Sequence, residues 1–183
     1  AHPRKGQTMM KISPPIQASL HWIAANPSKA GFAVFLLSLS ESLAVVGLFI
    51  PGVLVMSGVG GLISAGILTL RTTLAWAILG AIVGDWLSFW VGAVFKNRLQ
   101  NVWPFTYFPG WLENGKQFFK RYGNLSIIIG RFVGPIRPFV PVVAGMMNMP
   151  VRKFMVSNVI SAIIWAPIYM VPGFVIAWFT TSH

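Results

Sequence analysis

Apolar runs, broken repeatedly by glycine and proline, set the outline of this chain. Residues 31–50 are almost wholly apolar, the pair Pro51-Gly52 interrupts them, and a second apolar limb runs from Val53 to Leu70. Residues 72–95, TTLAWAILGAIVGDWLSFWVGAVF, predict a helix of about 36 Å, long enough to span a bilayer. Residues 96–123 turn polar and aromatic, and Trp103, Phe105, Tyr107, Phe108 and Trp111 suit an interfacial belt. A broken apolar stretch follows at 124–149. Residues 154–179 predict a last spanning helix, bent by Pro167 and by Pro172-Gly173. Near the start, Ile16, Leu20 and Ile23 fall at i, i+4 and i+7 of residues 13–26. That spacing predicts a short amphipathic helix in the interface, either a lipid sensor or a simple anchor.

Composition sharpens this outline. Of 183 residues, 55% are hydrophobic and 9% charged, against about 25% charged in a soluble domain. With a mean hydropathy of +0.70, the chain reads as an all-α integral membrane protein. Residues 1–9 read as a cloning remnant ahead of a start at Met9 or Met10, and no signal peptide is expected. The layout is then an interfacial helix over 10–30 and a single membrane domain over 31–183. Within it lie a hairpin over about 31–70, a span at 72–95, an interfacial connection at 96–123, a hairpin over about 124–149 and a span at 154–179. The net charge of +11 sits in basic residues near segment ends, which argues for membrane flanks and against a nucleic-acid stripe. The absence of cysteine excludes disulfides, iron–sulfur clusters and thiol catalysis; no metal site or cofactor is expected.

An internal repeat lies within this layout. VGLFIPGVLVMSG (46–58) aligns on VGPIRPFVPVVAG (133–145) at a constant offset of 87, with six of thirteen positions identical. The Gly-x3-Pro-x6-Gly frame, Gly47/Gly134, Pro51/Pro138 and Gly58/Gly145, carries more weight than the three valine pairs. In the second copy each limb has about ten residues, or roughly 15 Å, half a bilayer. Such limbs predict a re-entrant hairpin, with broken backbone buried against protein or a wet cavity. The longer limbs of the first copy leave its depth open; either way it enters and leaves on one side. A single span separates the copies, so they enter from opposite faces. This is an inverted repeat whose broken segments, at Pro51-Gly52 and at Gly134, Pro135, Pro138 and Pro141, meet near the midplane, where secondary transporters place their sites.

Charge placement points to the same junction. The chain has three acids, of which Glu113 lies in the polar connection and Glu41 and Asp85 inside apolar segments. Arg131 and Arg137 lie in GRFVGPIRPFVPVVAG (130–145). Isolated ions at this depth cost about 2.5–3.5 kcal/mol each on insertion scales, so carboxylate–guanidinium pairs are expected. Asp85 either ties helix 72–95 to a hairpin or shares in function. Arg137 adjoins Pro138, where a new half-helix is expected to start, presenting N–H groups beside a guanidinium to a phosphate. On one continuous helix Arg131 and Arg137 would lie about 240° apart; the Gly134-Pro135 break lets them converge.

The blocks ESLAVVGLFIPG (41–52), GAIVGDWLSFWVG (80–92) and GRFVGPIRPFVPVVAGM (130–146), in this order, resemble the DedA family, on its YabI-like side. The resemblance covers residues from about 30 to 178. That family shares the VTT (SNARE-associated) domain with eukaryotic lipid scramblases. The resemblance implies a bacterial inner-membrane protein with two re-entrant hairpins. It implies transport of a lipid-linked phosphate, undecaprenyl phosphate above all, coupled to proton motive force. It assigns importance to a membrane glutamate, matched by Glu41, to arginines matched by Arg131 and Arg137, and to a Gly-Asp matched by Gly84-Asp85. Two departures stand out. Many members carry an acid directly after the first Pro-Gly, where this chain has Val53. The proline between the arginines, Pro135, falls four residues after the first rather than three.

Four function classes follow for comparison: a flippase for a polyprenyl phosphate or phospholipid, which the residues favour; a lipid phosphatase; a proton-coupled cation or drug antiporter; and a scaffold. A passive phospholipid scramblase is the variant of the first. An enzyme is not expected, because His2, His21 and His183 lie outside the spans and no nucleophile or metal cluster is readable near the arginines. The expected partners are the bilayer and the lipid substrate, with a homo-oligomer left open and no nucleic acid. In the expected mechanism, protonating Glu41 or Asp85 frees an arginine for the lipid phosphate, and Gly47, Gly58, Gly134 and Gly145 allow close helix approach. Positive charge is biased seven to three: Lys96, Arg98, Lys116, Lys120, Arg121, Arg152 and Lys153 against Lys11, Lys29 and Arg71. This predicts a cytoplasmic 96–123 connection.

Overall fold

A computed structural model describes residues 25–44, 46–49, 52–96, 98 and 109–181. The expected N-terminal amphipathic helix, Pro51, and the belt residues Trp103, Phe105, Tyr107 and Phe108 lie outside the described residues. Among the described residues the chain is helix and turn, with no strand. The helices are α1 (Pro27–Ser42), α2 (Gly52–Ser64), α3 (Leu70–Phe95), α4 (Pro109–Tyr122), α5 (Leu125–Gly130), α6 (Val140–Met146) and α7 (Val151–Thr181). Short 3₁₀ turns sit at Val46–Leu48 and Gly134–Phe139.

Two helices are long and apolar enough to cross a membrane, Leu70–Phe95 and Val151–Phe179. Helix α3 covers the span expected at 72–95, and α7 covers that expected at 154–179. The α7 helix runs unbroken through Pro167 and Pro172. Both long helices keep one side inside the bundle and turn large apolar groups outward. Leu79, Trp90, Ile163 and Ile176 are all at least half exposed. A protein in water does not leave apolar surface of this extent uncovered, and its chemistry suits contact with lipid. The amphipathic α4 turns Gly115, Phe118 and Phe119 toward α6 and sets Asn114, Gln117, Lys120 and Arg121 outward.

The interruptions follow from local chemistry. Helix α2 stops where Gly66 takes φ +73°, and the N–H groups of Ile67 and Leu68 close back on the Leu62 carbonyl. Helix α6 stops before Asn148, at φ +55°, and Pro150 then precedes α7. Between α5 and α6 the sequence predicted two limbs of about ten residues; α5 has six residues and α6 seven. The difference lies in Gly134–Phe139, which winds as a 3₁₀ helix instead of joining either limb.

The helices pack in a crossed pattern. Helix α1 lies along α3 and α2 along α7, while α5 lies on α7 and α6 on α3. The seams are backbone-close. A Cβ added to Gly92 would overlap the Val142 carbonyl, and one added to Gly145 the Phe89 carbonyl. Gly60 and Gly173 do the same between α2 and α7, against Met170 and Ser57 carbonyls. Small residues are how helices approach closely in lipid, where apolar contact alone favours no pairing. Gly145 thus serves the close helix approach expected of it, whereas Gly47 sits against the Glu41 carbonyl of its own limb and Gly58 faces open space.

Candidate functional site

Four elements bring charge to one place inside this bundle. Glu41 stands in the last turn of α1, only 2% exposed. Gly52 opens α2 against it: a Cβ there would overlap Glu41 Oε1. Gly47 is equally close to the Glu41 carbonyl. The broken segment is also stitched to α3, because the Ala44 N–H donates to Ser88 Oγ (3.1 Å) and Ser88 donates to the Ser42 carbonyl (3.3 Å). Asp85 lies one turn before Ser88 on α3, where Gly84 lets α1 come close. Arg131 follows α5 directly, and Arg137 sits in the 3₁₀ segment.

The geometry assigns the partners. Arg131 Nη2 pairs with Asp85 Oδ2, and both side chains are buried. Arg137 Nη1 pairs with Glu41 Oε1, with the Arg137 side chain 15% exposed. The two arginines converge, as the Gly134-Pro135 break predicts, and each takes its own acid. A buried pair of this kind gives little net stability, because desolvating two ions costs about what their attraction returns. Breaking one by removing a single partner is the costly event.

One expectation is corrected. A helix start was expected at Pro138, with free N–H groups beside Arg137. The α-helix begins at Val140, with Pro141 in its first turn, and the Arg137 N–H donates to the Val133 carbonyl (3.0 Å). Proline at 138 continues the 3₁₀ winding because its fixed φ suits that winding as well as an α-helical start.

Helix α7 supplies groups the sequence reading did not single out. Asn158, fully buried, accepts from Arg131 Nη2 on Oδ1 (3.0 Å) and donates from Nδ2 to the Ile82 carbonyl of α3 (3.1 Å). That second bond orients the amide and ties α7 to α3 one turn from Asp85. Trp165, also fully buried, has its indole ring 5.7 Å from Arg131 Cζ and 5.1 Å from Arg137 Cζ. Tyr169 lies 5.4 Å from Arg137 Cζ. All three distances fall within cation–π reach. Asn158, Trp165 and Tyr169 recur at i, i+7 and i+11, so they share one helix face. A lone amide in an apolar helix, with aromatics at helical spacing below it, was the available signal.

Among the described residues, four buried polar side-chain atoms lack a partner: Glu41 Oε2, Ser42 Oγ, Arg131 Nη1 and Trp165 Nε1. Three of them belong to this cluster of charges and rings. Buried polar groups are nearly always bonded, so an acceptor and two donors left unspent set this cluster apart from the rest of the core. No group of three or more His, Cys, Asp or Glu able to hold a metal occurs among the described residues.

Comparison with known proteins follows the same residues. Residues 50–175 match the VTT domain. The chain is 40% identical to the inner membrane protein YabI of Escherichia coli over 154 residues, 84% of this chain and 60% of that one. It is 39% identical to an uncharacterised membrane protein of Buchnera aphidicola, over 78% of this chain and 56% of that one. Protein DedA of E. coli is 31% identical, over 77% of this chain and 66% of that one. The chain thus spans about 60% of the length of the first of these relatives. No solved structure matches it. With its VTT domain, its identity to YabI and its likeness to DedA, the chain belongs to the DedA family of membrane proteins, on the YabI-like side.

Proposed function

We propose that this protein carries a lipid-linked phosphate across the bacterial inner membrane, driven by protons, with undecaprenyl phosphate as leading substrate. The observation that carries the reading is the buried quartet Glu41–Arg137 and Asp85–Arg131, which holds Arg131 Nη1 and Glu41 Oε2 without partners. An unspent guanidinium donor suits a phosphoryl oxygen, and an unspent carboxylate oxygen suits a proton. Protonating Glu41 neutralises the acceptor of Arg137 and releases that guanidinium to the headgroup. Asp85 and Asn158 hold Arg131 in place meanwhile. The acid common after the first Pro-Gly is Val53 here, half exposed on α2, so proton handling falls to Glu41 with Asp85.

The architecture supports the reading. The α1–α2 and α5–α6 units act as two re-entrant hairpins of an inverted repeat. The first limb of each packs on the span that follows it, and the second limb packs on the other span. An in-plane pseudo-twofold axis relates such a swap. Helices of 13, 7 and 6 residues, about 20, 10 and 9 Å, fall short of the roughly 30 Å hydrocarbon core. The lipid tail stays in the bilayer while the headgroup passes the junction. The bias of positive charge favours the cytoplasmic side for α4. A cation antiporter fits less well, because both membrane acids already hold arginines.

The test is uptake of labelled polyprenyl phosphate into vesicles reconstituted with the full chain, with a proton gradient of either sign. Gradient-dependent uptake above protein-free vesicles is expected. Uptake independent of the gradient would replace the flippase with a scramblase, and none at all would overturn the reading.

A further inference from the structure

Trp165 differs from an ordinary core tryptophan in two ways. It is completely buried, yet its indole N–H has no acceptor. Tryptophan inside a protein normally spends that donor; phenylalanine or leucine would fill the space among Met56, Ala162 and Met170 with no unspent donor. Its ring also lies within cation–π reach of both guanidinium groups. The second unspent donor of this cluster is Arg131 Nη1, on a side chain 3% exposed. Two unspent donors, on side chains within cation–π reach of each other, have no acceptor among the described residues.

We propose that Trp165 Nε1 and Arg131 Nη1 together bind the oxygens of a phosphoryl group, which makes the indole of α7 a binding residue of the site and not only its floor. The inference deepens the transport reading and rests on it. In the unloaded protein the indole face holds the two guanidiniums by cation–π contact. In the loaded protein its edge donates to a phosphoryl oxygen. Asn158 stands at i−7 on the same helix face and fixes the other guanidinium nitrogen of Arg131 through Nη2, leaving Nη1 for the ligand. The donors recognise the PO3 head, so inorganic phosphate and an alkyl phosphate share the chemistry; the lipid chain decides between them.

The test uses the full chain in detergent, labelled with 15N at the indoles. Dodecyl phosphate is titrated in one arm, inorganic phosphate in a second, and dodecyl trimethylammonium in a third as the cationic control. One buried indole N–H resonance is expected to move downfield with dodecyl phosphate and to stay still with the ammonium. That resonance is absent from Trp165→Phe. Trp165→Phe keeps an aromatic ring under the arginines and removes the N–H together with part of the indole's buried volume, so its thermal stability is read beside its affinity. Its affinity for dodecyl phosphate should fall by about tenfold or more, the loss of one hydrogen bond to a charged group. A shift with inorganic phosphate as strong as with dodecyl phosphate makes the site a free-phosphate site, which overturns the lipid source. Wild-type protein in which no indole resonance moves overturns the proposal without any variant. Equal affinity in wild type and Trp165→Phe overturns it while leaving the transport reading intact. Wild-type protein that binds no phosphate overturns both.

Discussion

The pairing of charges inside the bundle makes a prediction that can be worked through in numbers. Asp85→Asn keeps the size and one acceptor of the side chain but removes its charge. Arg131, 3% exposed at the side chain, then has only neutral amide oxygens, of position 85 and Asn158, as close partners. Removing one partner of a buried pair costs about 3–5 kcal/mol, since the other charge is left uncompensated. Adding Arg131→Gln to Asp85→Asn removes that stranded charge. The double variant should therefore recover much of the loss, with a coupling energy of about 1–3 kcal/mol. The cross pair is the control. Asp85→Asn with Arg137→Gln joins residues that hold different partners, and their effects should add more nearly. Reversible unfolding in mixed micelles reads all eight proteins, wild type included, with Glu41→Gln and Arg137→Gln giving the matching cycle. Equal coupling in the matched and crossed pairs would refute the assignment of Arg131 to Asp85 and Arg137 to Glu41.

Other outcomes follow from the same geometry. Arg137→Lys should fold, because an ammonium still pairs with Glu41, yet lose most uptake of polyprenyl phosphate, because lysine lacks the planar fork and its stacking on Trp165 and Tyr169; stable protein with full uptake would sink the phosphate site. Arg131→Lys should do the same less severely, measured in the same vesicles. Glu41→Gln should fold and bind dodecyl phosphate, but its transport should no longer follow pH; a wild-type pH profile would remove Glu41 from proton coupling. A cysteine at Asn114, exposed on α4 in a chain with no cysteine of its own, should label only from the cytoplasm.

Much of this protein was legible in one dimension. The span at α3 and the span at α7 follow from hydropathy, because a bilayer imposes a minimum apolar length that local composition alone must meet. The four membrane charges were visible for the same reason: an ion in an apolar run stands out without any knowledge of its neighbours. The family was carried by three short blocks whose order survives in the sequence. The break at Gly134-Pro135 was readable because proline does not continue an α-helix, whereas the stop at Gly66 was not, because the apolar limb runs on to Leu70. The start of α6 was not, because proline at 138 fits the first turn of an α-helix and the interior of a 3₁₀ turn equally well.

Partnership was decided only in three dimensions. Arg131 reaches back 46 positions to Asp85 and Arg137 reaches back 96 to Glu41; nothing local distinguishes these pairings from the reverse. They depend on α1 and α6 lying on the same helix, α3, which the glycine seams allow. The contribution of α7 was hidden for a related reason. Asn158, Trp165 and Tyr169 are ordinary residues of an apolar helix until the packing of α5 on α7 brings Arg131 beside them. A residue's burial and bonding partners belong to its neighbours in space, and in a bundle of crossed helices those neighbours come from distant parts of the chain.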